Sequence, residues 1–336
     1  MIDIDGSFGE GGGQILRTSL ALSLITGASF RITRIRAGRK KPGLLRQHLT
    51  SVLVAARVGS AHVVGADAGS QELTFVPQSL HGGHYELAIG TAGSTTLVLQ
   101  TILVPLLVAS EPSTVVLEGG THNPGAPSFD FLTRSFLPLV ARMGAQVDAT
   151  LERPGFAPAG GGKIVVTIQP ARKLGALELL ERGNVLGRRA RAVVANLAFD
   201  IARREADVIS EKTGWTDVRS ETIRGALGPG NVVTLEVVSE QVTEVVTAFG
   251  RRGVPAEEVA ASAVDEIQRY LDSNAAVGEH LADQLLLPMA VGGGGAFTTV
   301  HATPHTTTNA EVIAKFLPGR VQFRDEAGCC RIAVVP

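Results

Sequence analysis

The sequence has 336 residues, a formal net charge of −1, 44% hydrophobic residues and two adjacent cysteines. It predicts a globular protein of one large domain or two domains. It excludes a polycation, a disulfide-stabilised fold and, since no apolar run reaches ~18 residues, a membrane-spanning helix. The acidic N-terminus is predicted to form a strand and not a signal peptide, so a reducing, cytoplasmic setting is expected.

Three stretches of the chain predict the same succession of elements, βαβαββ, which indicates an α/β protein built from three repeated units. In each stretch, small residues open an apolar helix, and these helices are predicted to begin near Gly11, Gly90 and Ala275. Each carries a glutamine on its early turns, namely Gln14, Gln100 and Gln284. A strand and a second, amphipathic helix follow, with starts near Gly43, Ser128 and Asn309.

Residues 183–274 interrupt the third unit and carry elements of their own. The pattern predicts two strands and a helix up to Val238, then a strand from Glu244 to Phe249 and a helix after Pro255. This stretch is long enough to fold alone. We therefore predict a large domain from residues 1–182 and 275–336, which holds the candidate site residues described next, with an inserted small α+β domain at 183–274.

A glycine-rich loop around Glu10 lies between a predicted strand and a helix, where glycines let backbone N–H groups approach a phosphate. It is not a Walker loop, because no Gly-Lys-Ser/Thr follows. Glu10 would repel a phosphate unless a divalent cation lay between them, so it is a candidate metal ligand, with a solvated loop acid as the alternative.

A basic segment, residues 31–46, contains seven arginines and lysines and no acid. A solvated basic face is the usual meaning of such a run. However, Arg36 and Arg39 are predicted at a strand end on the same edge as the glycine-rich loop, which favours a shared site for a polyanion. Since aromatic residues make up only 4% of the chain, contact with phosphates is expected rather than extensive stacking on bases.

His305 follows Pro304 in a polar run ahead of a helix that Thr308 or Asn309 could cap. A neutral imidazole there would be a usable nucleophile or base near pH 7, and a partly exposed loop histidine is the alternative. A zinc site with His301 is disfavoured, because Pro304 makes a shared helical face improbable and adjacent cysteines chelate one metal poorly. Surface positions are expected for four other histidines: His81, His84, His122 and His280.

In this order, these segments resemble one family closely, the RNA 3′-terminal phosphate cyclases, over essentially the whole chain. The N-terminal segments that carry the resemblance are Gly9-Glu10-Gly11-Gly12-Gly13-Gln14-Ile15-Leu16-Arg17, Ile35-Arg36-Ala37-Gly38-Arg39 and Lys41-Pro42-Gly43-Leu44-Leu45-Arg46-Gln47-His48. The later ones include Leu97-Val98-Leu99-Gln100-Thr101, Pro158-Ala159-Gly160-Gly161-Gly162, Leu281-Ala282-Asp283-Gln284-Leu285 and His305-Thr306-Thr307-Thr308-Asn309.

The resemblance implies an α/β (α+β) fold in which three βαβαββ units form a large domain that carries an inserted, thioredoxin-like α+β domain. It also implies an ATP-dependent enzyme that converts an RNA 3′-terminal phosphate to a 2′,3′-cyclic phosphodiester with a divalent cation, Mg²⁺ or Mn²⁺. A histidine would attack the α-phosphorus of ATP, the AMP would move to the RNA phosphate, and the 2′-hydroxyl would expel AMP. The expected partners are ATP and RNA with a 3′-phosphate end, without a membrane; a homodimer is left open.

The resemblance also implies roles for individual residues. His305 would be the nucleophile, Asp283 would orient or polarise it, and Arg17 and Arg39 would be further catalytic residues. The expected nucleotide contacts are Gln14, Gln100, His280, Asp283 and Gln284; His280 stands where relatives often carry tyrosine. The expected RNA contacts are Arg36, Arg39 and Gln47, and the expected metal ligand is Glu10. Two alternatives remain: a non-catalytic, cyclase-like RNA-binding protein of ribosome assembly, which would depart at the nucleophile, and an enolpyruvyl transferase of similar repeated architecture.

Overall fold

The structure of the protein is a computed structural model that describes residues 1–171 and 173–335. The strands, in chain order, are β1 (Ile2–Asp5), β2 (Phe30–Thr33), β3 (His62–Val64), β4 (Leu73–Val76), β5 (Gly83–Ala88), β6 (Ser113–Gly119), β7 (Gln146–Arg153), β8 (Gly162–Gln169), β9 (Leu177–Leu179), β10 (Val185–Ala195), β11 (Asp217–Thr222), β12 (Gly230–Ser239), β13 (Thr243–Phe249), β14 (Gly295–Thr299), β15 (Val321–Glu326) and β16 (Cys329–Val334).

The helices, in chain order, are α1 (Gly13–Thr26), α2 (Arg46–Val58), α3 (Thr95–Leu107), α4 (Phe129–Phe131), α5 (Leu137–Arg142), α6 (Phe199–Thr213), α7 (Ala256–Asp272), α8 (Glu279–Val291) and α9 (Pro304–Phe316). A π-helical turn, Leu132–Phe136, joins α4 to α5. Among the described residues, no helix combines the length and the apolar character that crossing a membrane requires. The predicted mixed α/β class is confirmed.

Three of the sheets share one strand order. They run β1-β2-β4-β3, β5-β6-β8-β7 and β9-β14-β16-β15. In each, the first strand pairs parallel with the second, and the remaining pairs are antiparallel. In the first two sheets the parallel pair is joined through one helix, α1 or α3, the usual connection between parallel neighbours; in the third, β10 to β13 and α6 to α8 lie between β9 and β14.

The fourth sheet has the order β11-β10-β12-β13 and is covered by α6 and α7. Its elements have an apolar core of their own, formed by side chains of β10, β12, α6 and α7. Strand β11 was missed in the sequence because all of its residues, Asp217–Thr222, except Val218 are polar, so they show no alternation with apolar ones; it is an edge strand. The domain boundaries at 183 and 274 and the thioredoxin-like character of this part stay predictions.

The apolar first helices of the units form the centre of the larger core. Helix α3 buries 11 of its 13 residues, and only Leu97 and Gln100 are partly exposed. Helix α1 packs between α3 and α9 and ends at Gly27, whose left-handed backbone forms the helix cap as its sequence predicts. This packing brings the N-terminal end of α1 beside the N-terminal end of α9, although the two helices belong to opposite ends of the sequence.

The expected cap of α9 was wrong. The helix begins at Pro304, and Thr303 is its cap: the Thr303 hydroxyl accepts a hydrogen bond from Thr306 N at 3.2 Å. Proline is favoured at the first helical position, because the N–H that it lacks would have no partner there. His305 therefore lies in the first turn of a helix and not in the loop before it.

Candidate active site

His305 is the centre of a set of polar side chains from three helices. Its imidazole is 52% exposed at the second position of α9. The Nδ1 atom lies 3.3 Å from Oε1 of Gln14, and the amide nitrogen of Gln14 donates a 2.7 Å hydrogen bond to Oδ2 of Asp283. Gln14 thus bridges Asp283 and His305, and we call this arrangement the Gln14 bridge.

The Gln14 bridge determines which nitrogen of His305 is free. A carboxylate can only accept hydrogen bonds, so the NH₂ group of Gln14 must face Asp283 and its carbonyl oxygen must face the histidine. That carbonyl accepts from Nδ1–H, which leaves the lone pair on Nε2. Nε2 lies 3.6 Å from the Glu10 carboxylate. The resemblance implies that Asp283 orients or polarises His305; the contact in the structure runs through Gln14.

The electrostatic surroundings keep the imidazole of His305 neutral. Burial lowers its pKa below the ordinary value, nearby Asp283 partly opposes this, and the positive charges of Arg39 and Arg17 lower it further. Burial also raises the pKa of Asp283 to about 6. At neutral pH the site therefore holds an uncharged imidazole with a mostly ionised carboxylate behind it, the protonation states that a nucleophilic histidine needs.

Asn309 fixes the three helices relative to one another. It lies on α9, is buried, and accepts a 2.7 Å hydrogen bond from the Thr18 hydroxyl on α1. Its amide nitrogen donates at 2.7 Å to the backbone carbonyl of Asp283 on α8. His305 is four residues earlier on α9 and so lies on the same helical face. The segment His305 to Asn309 therefore supplies both the reactive group and its support.

The glycine-rich loop brings Glu10 and Arg39 to this centre. Glu10 N donates to the Thr308 hydroxyl at 3.0 Å, which attaches the loop to α9. Arg39 forms an ion pair with the Glu10 carboxylate and donates to its backbone carbonyl at 3.0 Å. Gly9 has a φ of 52°, and a Cβ at that position would overlap Thr308, so only glycine fits this approach.

Arg17 and His48 lie beneath the loop. Burial lowers the pKa of Arg17 to about 10, which still leaves it charged at neutral pH. Burial, together with the charges of Arg17 and Arg36, lowers the pKa of His48 to about 3, so this histidine is uncharged. Its Nδ1 accepts from Leu45 N at 3.2 Å, and its Nε2 faces Gly13. This burial could not be predicted from the sequence, because it depends on packing between α1 and α2.

In the structure, Arg36 and Gln47 contact groups other than His305. Arg36 donates to the carbonyls of Lys41 and Gly43 at 2.6 and 2.9 Å and so braces the basic segment itself. Oε1 of Gln47 accepts from Ser94 N at 2.9 Å and links α2 to the loop before α3. Both expected RNA contacts stay predictions, and neither residue has a hydrogen bond to the His305 centre within residues 1–171 and 173–335.

A cleft of about 810 Å³ opens beside the Gln14 bridge. Helices α1, α3, α8 and α9 form one wall, and β13 and α7 form the other. Gln100, Gln284 and His280, three of the expected nucleotide contacts, line it. Nε2 of His280 lies 3.4 Å from Glu266 on α7, which raises the pKa of His280 above its ordinary value. The cleft is large enough for a small ligand with phosphates near His305.

The surface position expected for His122 was wrong, whereas His81, His84 and His280 are exposed as predicted. His122 is 4% exposed and stacks on the ring of Phe156 with centroids 5.0 Å apart. Its Nε2 lies 3.5 Å from Asp130, which also contacts Arg134 and Arg191. Asp130 follows His122 closely in sequence, but Phe156 and Arg191, which enclose this pair, are distant in sequence, so the sequence could not show that His122 has a buried carboxylate for a neighbour.

Glu10 suits a metal site that uses one carboxylate together with substrate phosphates better than a site made of several protein ligands. Within the described part of the chain, no group of three or more His, Cys, Asp or Glu side chains could hold a metal by itself. Glu10 is a single carboxylate, and Gly12 leaves room for it, since a Cβ at position 12 would overlap its oxygen. Mg²⁺ commonly uses one or two carboxylates together with substrate phosphates and water, and Glu10 fits that pattern.

Comparison with known proteins agrees on one family. The sequence profile described as RNA 3′-terminal phosphate cyclase matches residues 8–323. A relative of that name from Ralstonia nicotianae is 54% identical over 99% of this chain and 97% of its own length. One from Koribacter versatilis is 52% identical over 99% and 95%. The solved enolpyruvyl transferase NikO from Streptomyces tendae aligns over 98% of this chain and 47% of its own, with 12% identity and a TM-score of 0.38, and supports no inference.

Proposed function

The chain belongs to the RNA 3′-terminal phosphate cyclase family of enzymes, and from this premise we propose that it activates an RNA 3′-phosphate through a covalent His305–AMP intermediate. The family implies ATP and RNA as substrates. The Gln14 bridge is the observation that carries the proposal, because it leaves one nitrogen of a neutral imidazole free at the edge of a cleft.

In the first step, Nε2 of His305 attacks the α-phosphorus of ATP. The new N–P bond replaces the bond to the bridging oxygen, and pyrophosphate leaves. The ring acquires positive charge as the bond forms. Asp283 stabilises that charge through Gln14, and its buried position strengthens the effect, since little water screens it.

Arg17 and Arg39 stabilise the charge that develops on phosphate oxygens, since a guanidinium can bind two of these oxygens at once. Glu10 is the residue that would hold a divalent cation, Mg²⁺ or Mn²⁺, whose contribution would be to neutralise the triphosphate. Arg39 pairs with the Glu10 carboxylate and would release it when that carboxylate takes another partner. Gln100, Gln284 and His280 line the cleft in which the nucleoside would lie.

In the second step, an oxygen of the RNA 3′-phosphate attacks the phosphorus of the His305-bound AMP, and the imidazole leaves with its lone pair restored. In the third step, the adjacent 2′-hydroxyl attacks the activated 3′-phosphorus, loses its proton and expels AMP. The product is a 2′,3′-cyclic phosphodiester. The exposed side chains of the basic segment supply positive charge for the RNA phosphates, with Arg39 closest to Glu10.

Labelling with ATP tests the proposal directly. The protein is incubated with ATP labelled at the α-phosphorus and with Mg²⁺ or Mn²⁺, then denatured. We expect label on the wild-type protein that acid removes, as expected of a phosphorus–nitrogen bond, and none on His305→Ala. His301→Ala is the matched control, because His301 is also exposed but contacts Glu279 at 3.3 Å and lies outside α9. An unlabelled wild-type protein with either metal would refute the covalent intermediate.

A further inference from the structure

Helix α8 carries Asp283, Gln284 and His280 into the cleft, yet its N-terminal end has no capping side chain of its own. The cap residue is Gly278, and the contact comes instead from β13, on the opposite wall of the cleft. Oε2 of Glu244 accepts a 2.8 Å hydrogen bond from Gly278 N. The helix that holds Asp283 is thus attached to the part of the chain between residues 183 and 274.

Glu244 is enclosed at this contact. It is 2% exposed, and a Cβ at position 278 would lie 2.6 Å from its Oε1, so the close approach depends on glycine. His280 and Arg182 provide positive charge nearby, Glu266 provides negative charge, and burial raises the pKa of Glu244 to about 7. The positive end of the α8 dipole also favours a carboxylate here.

The position of Glu244 bears on the Gln14 bridge through the rigidity of α8. Asp283 is the fifth residue of the helix, roughly 7 Å along the axis from Gly278 at 1.5 Å per residue. The other contacts of Asp283, with Gln14 and Asn309, come from α1 and α9. Glu244 holds the start of the helix from another direction, so its loss would allow α8 to shift along those contacts.

We infer that Glu244 is a positioning residue for His305: by holding the start of α8, it keeps Asp283 in hydrogen-bond contact with Gln14. The inference rests on the proposed function for its catalytic consequence, whereas the contact that it assigns to Glu244 can be measured without substrate. It also gives the β13 segment a role in nucleotidyl transfer beyond forming a wall of the cleft.

Two variants of Glu244 separate positioning from folding. Glu244→Ala removes the acceptor for Gly278 N, whereas Glu244→Gln keeps an acceptor oxygen of the same reach. Glu205→Ala is the matched control. Glu205 is also fully buried between residues 183 and 274, and burial raises its pKa to about 7, but its hydrogen-bond partner is Asn231 on β12. It therefore reports the cost of losing a buried carboxyl without disturbing α8.

Two measurements are made on each variant. Amide hydrogen exchange of the peptide 279–291, without nucleotide, should be faster in Glu244→Ala than in the wild type and unchanged in Glu205→Ala. The single-turnover rate of labelling at saturating ATP should fall roughly 10- to 100-fold in Glu244→Ala, the scale for displacing a reacting group by about an ångström, with a smaller change in ATP affinity. Glu244→Gln should recover most of the rate.

The outcomes distinguish this inference from the proposed function. A labelled wild type together with wild-type labelling in Glu244→Ala would overturn the positioning role and leave the intermediate intact. An equal loss in Glu205→Ala would also overturn it, because the effect would then be one of folding. An unlabelled wild-type protein would refute the covalent intermediate. In that case, faster hydrogen exchange in Glu244→Ala would still support the contact between Glu244 and Gly278, and unchanged exchange would overturn this contact too.

Discussion

Replacing Gln14 by methionine tests the bridge itself. Methionine has nearly the same volume as glutamine but neither donates to Asp283 nor accepts from His305. The His305 imidazole then loses the contact that holds Nδ1–H. Nothing then determines the orientation of the ring or which of its two nitrogens carries the lone pair. We expect slower labelling of the protein by ATP at saturating ATP.

The magnitude follows from the two contacts. The 3.3 Å contact between His305 and Gln14 is a long neutral hydrogen bond, and such bonds contribute about 0.5–1.5 kcal/mol net. At about 1.36 kcal/mol per tenfold in rate, its loss slows labelling roughly 2- to 13-fold. Asp283 also loses its partner. Since the bond from Gln14 lowers the pKa of Asp283, this pKa rises above about 6 in the variant.

The pH dependence has a definite sign. The charge of Asp283 assists His305 only when the carboxyl is ionised. In the variant the carboxyl ionises at higher pH, so the deficit relative to the wild type should be largest near pH 6 and should shrink as pH rises. Labelling rates at saturating ATP between about pH 6 and 9 measure both the deficit and its trend.

Gln268→Met is the control, since it removes a similar 2.6 Å bond to Asp272 on the exposed face of α7. Asp283→Ala removes the acceptor for the Gln14 amide, so it should combine with Gln14→Met less than additively, because both changes break one contact. A Gln14→Met protein that labels at the wild-type rate, with the wild-type pH profile, would refute the bridge. Strict additivity with Asp283→Ala would contradict the assigned hydrogen bond.

Two further predictions concern stability and metal binding. Burial raises the pKa of Glu205 from 4.5 to about 7, so the folded protein binds this proton more tightly and loses roughly 3 kcal/mol of unfolding free energy as pH rises from 4.5 to 7. Glu205→Gln should remove this pH dependence of the unfolding free energy, which urea unfolding at several pH values measures. An unchanged pH dependence would contradict the assigned pKa shift of Glu205. Arg39→Ala frees the Glu10 carboxylate, so Mn²⁺ should bind more tightly by calorimetry, while turnover of RNA 3′-phosphate ends should fall without unfolding. Unchanged turnover would show that Arg39 is only a solvated charge with no part in the reaction.

The secondary structure could be read from the sequence where one local rule decided it. Gly27 ends α1, and α4 begins directly after Ser128, near the start that the spacing predicted, because each boundary depends on a few neighbouring residues. The rule for proline was applied in the wrong direction at α9, where Pro304 starts the helix. The polar strand β11 was missed, since its place in the sheet depends on β10 and not on its own pattern.

For the candidate site, the sequence predicted which residues belong to it but not which of them contact one another. Glu10, Arg39, Gln14, Asp283 and His305 were all proposed, and the structure brings them together. The sequence could not show which of them touch, since the contacts of Gln14 with Asp283 and His305 span 269 and 291 residues.

Glu244, Glu205 and His48 escaped notice for a related reason. An ordinary acid or histidine in a sequence carries no sign of burial, and burial is what sets the pKa of these groups apart.

The glycine-rich loop shows how the structure alters a sequence argument. The sequence explained its glycines by the access that they give a phosphate to backbone N–H groups. In the structure, a Cβ at Gly9 would overlap Thr308, one at Gly12 would overlap the Glu10 carboxylate, and one at Gly13 would overlap His48. Each glycine therefore makes room for a side chain of the site before any ligand binds. The spacing of these glycines is a packing requirement of the junction between α1, α2 and α9, and a phosphate would use a loop that this packing has already shaped.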